Sequence, residues 1–163
     1  MAVNYTTKES HLSLALQVAL GHVKSFMTEN QKSNVLLREG KAYVDQGDLR
    51  GAIDCFNEGI NFNPTVSLFT SRALSYKLLE MYKEAYFDYS YAIRLEPDNA
   101  SHFCARGLCL AKMKKLGMAI EDLDIAIGLD PSSINYCARA TTYAEFEKYH
   151  EAIQGKVLSQ AWL

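Results

Sequence analysis

Arginine and aspartate residues recur in the sequence at a spacing that could form ion pairs. Arg72 precedes Asp88 by 16 residues, and Arg106 precedes Asp122 by the same interval. Charges of opposite sign on neighbouring helices form charge-assisted hydrogen bonds, and an Arg–carboxylate pair can bond at two points. We therefore expect Arg72–Asp88 and Arg106–Asp122 to be structural ion pairs. Arg139 has no such carboxylate after it, and Asp122 is its expected partner.

The residue types that commonly perform catalysis or bind metals form no recognisable site in this sequence. Its four cysteines, at 55, 104, 109 and 137, include no C-x-x-C pair, and no histidine lies at metal-site spacing from two of them. Motifs of phosphate-binding loops, zinc proteases and serine hydrolases are absent from the sequence. We expect no catalytic residue, no metal site and no cofactor.

Length, charge and thiol usage narrow the class of protein further. A chain of 163 residues is the size of one domain, and its net charge of −2 lacks the basic excess of a nucleic-acid-binding protein. The apolar stretch at 12–20 is too short to span a membrane. Unpaired cysteines favour a reducing compartment, so we expect a cytoplasmic protein, with the nucleus or a cilium or axoneme as alternatives.

A repeat of 33 or 34 residues is the most informative feature of the sequence. The three prolines, Pro64, Pro97 and Pro131, follow this interval, and alanine recurs in the same phase at 52, 85, 119 and 152. Small residues stand at 40, 73, 107 and 140, each followed three positions later by Tyr or Leu. Such self-similarity is typical of repeat proteins, in which stacked units bury a shared core.

This pattern resembles the tetratricopeptide repeat (TPR), in which two helices pack through small residues and a proline follows the second. The resemblance covers 33–163 and gives four units, 33–65, 66–99, 100–132 and 133–163. It implies an all-α fold, a right-handed superhelix of antiparallel helix pairs with a concave side. Residues 1–32 form a separate N-terminal segment, and the apolar positions within 11–28 predict an amphipathic helix there. Unit 133–163 departs most, with Lys156 and Ser159 at expected core positions.

In TPR proteins the first helix of each unit lines the groove that binds a partner. The resemblance therefore implies a non-catalytic protein-interaction scaffold or adaptor, not an enzyme. The expected groove residues are Leu37, Arg38, Lys41, Thr70, Leu74, Lys77, Cys104, Ala105, Leu108, Cys137, Ala138 and Thr141. Most are small or apolar, which suits a helix or peptide of a partner protein. The alternatives are a structural subunit of a large assembly, for example a ciliary or axonemal one, and a regulatory subunit of an enzyme.

The carboxylate clamp by which some members of this family hold Hsp90 and Hsp70 tails is not matched. If the clamp begins in the first unit, its Lys, Asn and Arg positions correspond here to Leu37, Lys41, Ser71, Ser101 and Ala105. If it begins in the second unit, they correspond to Thr70, Leu74, Ala105, Ile134 and Ala138. Neither set can hold a terminal carboxylate by paired charge-assisted bonds. We expect a protein partner that is not such a tail.

Apolar residues cluster at the end of the sequence. Val157, Leu158, Ala161, Trp162 and Leu163 are apolar, whereas repeat arrays normally need a polar terminal cap. An uncovered end predicts self-association through the C-terminal helix, a docked partner, or a longer parent chain. Trp162 and Leu163 are the expected contact residues.

Overall fold

The chain folds as consecutive antiparallel helices. The structure, a computed structural model, describes residues 27–160, with the backbone alone for 149 and 151–160. In this part of the chain the helices are α1 (Glu29–Asp45), α2 (Leu49–Phe62), α3 (Val66–Leu78), α4 (Tyr82–Leu95), α5 (Ala100–Lys112), α6 (Leu116–Leu129) and α7 (Ser133–Gln160). Most of the helix expected at 11–28 lies outside the described residues, and so do Trp162 and Leu163.

The first helix begins at a strong N-terminal signal. Thr28 has an extended backbone, and its side chain accepts a hydrogen bond from the Gln31 backbone N–H, while the Gln31 side chain accepts one from the Thr28 N–H. This capping box satisfies backbone donors that the helix leaves unpaired. Helix α1 therefore begins at Glu29, four residues before the first repeat unit expected from the sequence.

Three helix pairs share one kind of turn. Gly47, Glu80 and Lys114 join the two helices of successive pairs with φ values of 81°, 59° and 61°. A left-handed backbone reverses the chain in few residues, and it costs least for glycine. The second helix of each pair ends at Phe62, Leu95 or Leu129, two residues before a proline. Proline cannot continue a helix and disfavours helix in the residue before it.

Small residues allow the two helices of a pair to approach closely. A Cβ atom added to Gly40 would overlap the Phe56 ring, and one added to Gly107 would lie 3.1 Å from the Ala119 carbonyl oxygen. Ala73, at the equivalent position of the second pair, is fully buried. The core is thus a chain of interfaces between neighbouring helices, as in other repeat proteins.

The last unit differs from the expectation of a helix pair. Residues 133–160 form one uninterrupted helix, and position 147, which corresponds to Gly47, Glu80 and Lys114, is helical. Lys156 stands where Phe56, Tyr89 and Leu123 provide apolar contacts in the other pairs. A second helix folded back here would bury less apolar surface than the second helices of the other pairs do. Its packing therefore stabilises a helix pair less relative to one continuous helix.

Candidate functional site

A cleft opens between the first helices of the second and third pairs. We call it the α3–α5 cleft; its lining residues are Thr70, Ser71, Leu74, Tyr89, Ser101, His102 and Ala105. Its volume is about 340 Å³. That is space for a few side chains of a partner, and the lining comes mainly from the helices that the TPR resemblance assigns to a binding groove.

Helical periodicity explains why these residues share one surface. Thr70, Ser71 and Leu74 lie within one turn of α3, and Ser101 and Ala105 are four residues apart on α5. Side chains separated by three or four positions project from the same face of a helix. Leu74 is 42% exposed, so part of its side chain is apolar surface in contact with water.

Two buried polar side chains, His102 and Tyr89, bound the cleft. His102 Nε2 lies 2.9 Å from Glu96 Oε2, and hydrogen bonding with His102 lowers the pKa of the Glu96 carboxyl. Burial raises the pKa of Tyr89 to about 12, so its phenol is neutral at physiological pH. Neither His102 nor Tyr89 was expected as a site residue, because Tyr89 stands at a packing position of the repeat and the histidines share no repeat position.

The electrostatics of the cleft differ from those of a carboxylate clamp. Three clamp-equivalent residues, Ser71, Ser101 and Ala105, lie in the cleft and carry no charge. Leu37 packs against the buried cluster of α2 and α3, whereas Lys41 is exposed on α1. The cleft therefore offers hydroxyl groups and apolar surface rather than a set of converging cations.

Some of the groove residues expected from the sequence are not accessible. Cys104 and Ala138 are only 7% and 8% exposed and belong to one buried cluster, with Leu108 packed against it. They face the neighbouring helix because α7 stacks on α5 and α6. Cys104 and Ala138 are therefore core residues, and their assignment to the groove surface was wrong.

The remaining expected residues are accessible but dispersed. Arg38 and Lys41 are exposed on α1, and Cys137 and Thr141 are exposed on α7. Lys77 is half-buried on α3. Of the expected groove set, the structure brings Thr70, Leu74 and Ala105 together in the α3–α5 cleft.

Two buried thiols lie beside this surface without chemical reactivity of their own. Burial raises the pKa of the Cys109 thiol to about 11, with the positive charge of Lys77 acting in the opposite direction. Burial raises the pKa of Cys104 as well. Because the thiolate is the nucleophile, both thiols are inert at physiological pH.

The structure contains both ion pairs expected from the 16-residue spacing. Arg72 donates from Nε and Nη2 to the Asp88 carboxylate at 2.8 and 2.6 Å, and Arg106 bonds Asp122 in the same two-point manner at 2.7 Å. Asp88 is almost fully buried; its burial raises the carboxyl pKa, and the Arg72 guanidinium opposes that rise. Each pair joins the two helices of one unit.

The same arginines also reach the preceding unit. Arg72 Nη1 donates to Asn57 Oδ1 at 2.6 Å, and Arg106 Nη1 donates to Ser90 Oγ at 3.2 Å. Each guanidinium therefore bridges three helices. The sequence indicates this second acceptor, because the polar residues Asn57, Ser90 and Asp124 recur at the repeat interval.

Arg139 pairs with Asp124, and its expected pairing with Asp122 was wrong. Its Nη1 donates to Asp124 Oδ1 at 2.5 Å. Arg106 already occupies both oxygens of Asp122. Asp124 holds the position of Asn57 and Ser90, so this contact is the third in the same inter-unit series.

Two other kinds of site, a metal site and a membrane span, have no candidate among the residues that the structure describes. No group of three or more His, Cys, Asp and Glu side chains there could hold a metal ion. In the same part of the chain, none of the helices combines the length and hydropathy needed to cross a membrane.

Comparison with known proteins identifies the repeat and its fold. A family profile described as the tetratricopeptide repeat matches residues 33–66. Tetratricopeptide repeat protein 13 of Homo sapiens is 32% identical over an alignment 163 residues long. This alignment covers 90% of this chain and 19% of that protein. RNA polymerase II-associated protein 3 of Homo sapiens is 30% identical over 131 residues, covering 78% of this chain and 18% of that protein. The chain thus spans less than a fifth of the length of these relatives.

A solved structure extends the likeness to three dimensions. It is the first TPR domain of Spaghetti (RPAP3), bound to the HSP90 peptide SRMEEVD. The two chains are 26% identical, with a TM-score of 0.69, and the match covers 75% of this chain and 98% of that one. The helix pairs described above therefore form an all-α TPR superhelix.

Proposed function

We propose, since this chain is a tetratricopeptide repeat protein, that it is a non-catalytic interaction adaptor whose α3–α5 cleft binds an apolar-faced segment of a partner protein. The observation that carries the proposal is Leu74, which is 42% exposed in a cleft whose other lining residues are four with short side chains, Tyr89 and His102. An exposed leucine gains free energy when a partner removes it from water.

The small neighbours of Leu74 favour a close approach by a partner backbone. Thr70, Ser71, Ser101 and Ala105 have short side chains, and three of them carry hydroxyl groups that can both donate and accept hydrogen bonds. An amphipathic helix laid in a groove places anchors at intervals of three and four residues. A helix of this type, or a short extended peptide with an apolar side chain, matches the surface.

The likeness to the Spaghetti domain supports an adaptor but not the same ligand chemistry. The peptide in that structure, SRMEEVD, is acidic at its end. Charge-assisted bonds to a carboxylate require cationic donors. The equivalent positions here include Ser71, Ser101 and Ala105, so we propose that the cleft selects apolar shape instead.

A groove substitution with a matched surface control tests the proposal. Leu74→Asp places a charge in the cleft, whereas Phe87→Asp places the same charge on α4 at a residue that is 52% exposed and outside the cleft lining. Affinity capture with crosslinking should lose its partner with Leu74→Asp and keep it with Phe87→Asp. Equal capture of the partner by both variants would show that the partner does not bind in the α3–α5 cleft. Leu108 is unsuitable for this test, because it packs against the core.

The cytoplasmic location is a further part of the proposal. It rests on the unpaired cysteines, among them the exposed Cys137 and the buried Cys104 and Cys109. Unpaired thiols are typical of a reducing compartment such as the cytosol. Fluorescence microscopy of the tagged protein would test it, with a nuclear or ciliary signal as the contrary result.

A further inference from the structure

Helix α7 presents a face that the other units cover. Leu36, Phe69 and Phe103 are between 3% and 9% exposed, whereas Tyr136, at the same repeat position, is 46% exposed. Ala140 is also exposed, although the equivalent residues of the three preceding pairs are buried. Tyr143, one turn further along α7, is 44% exposed, compared with 39% for Tyr43 and 2% for Leu110 at the same repeat position. Tyr136, Ala140 and Tyr143 form what we call the open face of α7.

The second helix of each complete pair covers the corresponding face of the first. Gly40 lies against the Phe56 ring of α2, and Gly107 lies against Ala119 and Leu123 of α6. The open face of α7 has the small residue and the flanking aromatic side chains needed to receive a helix of this kind. What it lacks is the helix, because α7 continues in a straight line.

The sequence supplies a helix in the correct repeat phase. Ala152 follows Ala119 by 33 residues, and Tyr149 and Ile153 correspond to Leu116 and Ile120 at the start of α6. Residues 147–160 therefore carry the repeat pattern of a second helix, with Lys156 and Ser159 as its departures. They are the occupant that the repeat pattern itself assigns to the open face.

The straight helix keeps this occupant away from its own open face. Phe146 packs against the cluster formed by Leu110, Ala111, Leu116 and Ala119, and Glu145 lies 3.9 Å from Lys112 and 3.7 Å from Lys114. The first half of α7 is thereby fixed on α5 and α6. At a rise of about 1.5 Å per residue, the 14 residues of 147–160 extend about 20 Å beyond that anchor.

We infer that two copies of this chain exchange these segments: residues 147–160 of one copy cover the open face of α7 in the other. Each copy then completes the fourth unit of its partner, and the interface has two-fold symmetry. Domain swapping of this kind needs few new contacts, because it reuses an interface that the sequence already encodes.

The exchange also avoids the turn that a folded-back helix would need. Glu80 and Lys114 adopt positive φ at that turn in the second and third pairs. In a residue other than glycine, the Cβ atom lies too close to the following carbonyl oxygen in this conformation. Glu147 stays helical in the exchanged arrangement, so an intermolecular pair avoids this strain and a hairpin does not.

Light scattering coupled to gel filtration of the full 163-residue chain tests the inference. At about 100 µM protomer the mass should be twice the 18.3 kDa of one chain and should fall on dilution. Ala140→Arg should give a monomer because it blocks the open face, whereas Thr141→Arg, exposed on the same helix, should leave the dimer. Both positions are exposed, so neither change threatens the fold.

A second pair of variants separates exchange from other kinds of dimer. Glu147→Gly supplies the residue that the turn prefers and should shift the equilibrium toward monomer, whereas Glu147→Ala removes the same charge, favours the straight helix and should keep the dimer. A monomeric wild type, a dimer that survives Ala140→Arg, or identical masses for Glu147→Gly and Glu147→Ala would each overturn the inference. None of these outcomes depends on the α3–α5 cleft.

Discussion

Single arginines hold this superhelix together across unit boundaries. Arg72 and Arg106 each bond a buried aspartate of their own unit and a polar side chain of the preceding unit. The partners within a unit could be predicted from the sequence, because a 16-residue spacing fixes them in any helix pair of this length. The partner of Arg139 was predicted wrongly, although Asp124 stands in the same repeat register as Asn57 and Ser90.

Loss of one bridging arginine should destabilise the fold strongly. Arg72→Ala leaves the Asp88 carboxylate, only 4% exposed, without its counter-charge. Removal of one partner of a buried ion pair costs about 3–5 kcal/mol, so urea unfolding followed by circular dichroism should show a loss of about 3 kcal/mol. Arg50→Ala, at an exposed position, should change the unfolding free energy by less than about 0.5 kcal/mol. Equal unfolding midpoints for the two variants would contradict the structural role of Arg72.

Helix pairing depends on where the sequence allows close contact and where it allows a turn. The repeat interval predicted the first three pairs correctly, because small residues, turn positions and prolines agree in each. The fourth pair was predicted from the same phase, yet α7 is one helix. Lys156 replaces the apolar residue that Phe56, Tyr89 and Leu123 supply in the other pairs, which weakens the contact that would hold a second helix back. The repeat phase alone does not include this loss of packing energy.

Two glycine substitutions should have opposite effects for this reason. Gly40→Ala puts a methyl group into the Phe56 ring, and overpacking of a core costs about 1–3 kcal/mol. Gly128→Ala meets nothing within 4 Å and should stabilise α6 by about 0.5–1 kcal/mol. Thermal unfolding of both variants checks the prediction, and a stabilised Gly40→Ala protein would show that the helices of the first pair are further apart than described.

The whole molecule is a linear stack of helix pairs, and the binding surface that we propose, the α3–α5 cleft, lies between two units rather than within one. Of the predicted groove residues, Thr70, Leu74 and Ala105 line the α3–α5 cleft, and their binding of a partner stays a prediction. It did not predict that Cys104 and Ala138 are buried, because that depends on how a neighbouring unit stacks on them. It also missed His102 and Tyr89, whose exposed atoms at the cleft follow from the three-dimensional arrangement alone.

The central claim, a cleft that selects apolar shape rather than a terminal carboxylate, is tested most directly with the peptide SRMEEVD in free-acid and amidated forms. We predict that neither form gives saturable chemical-shift changes in the isotopically labelled protein at concentrations up to about 1 mM. Saturable binding of the free acid at the α3–α5 cleft, abolished by amidation of its terminal carboxylate, would contradict the claim.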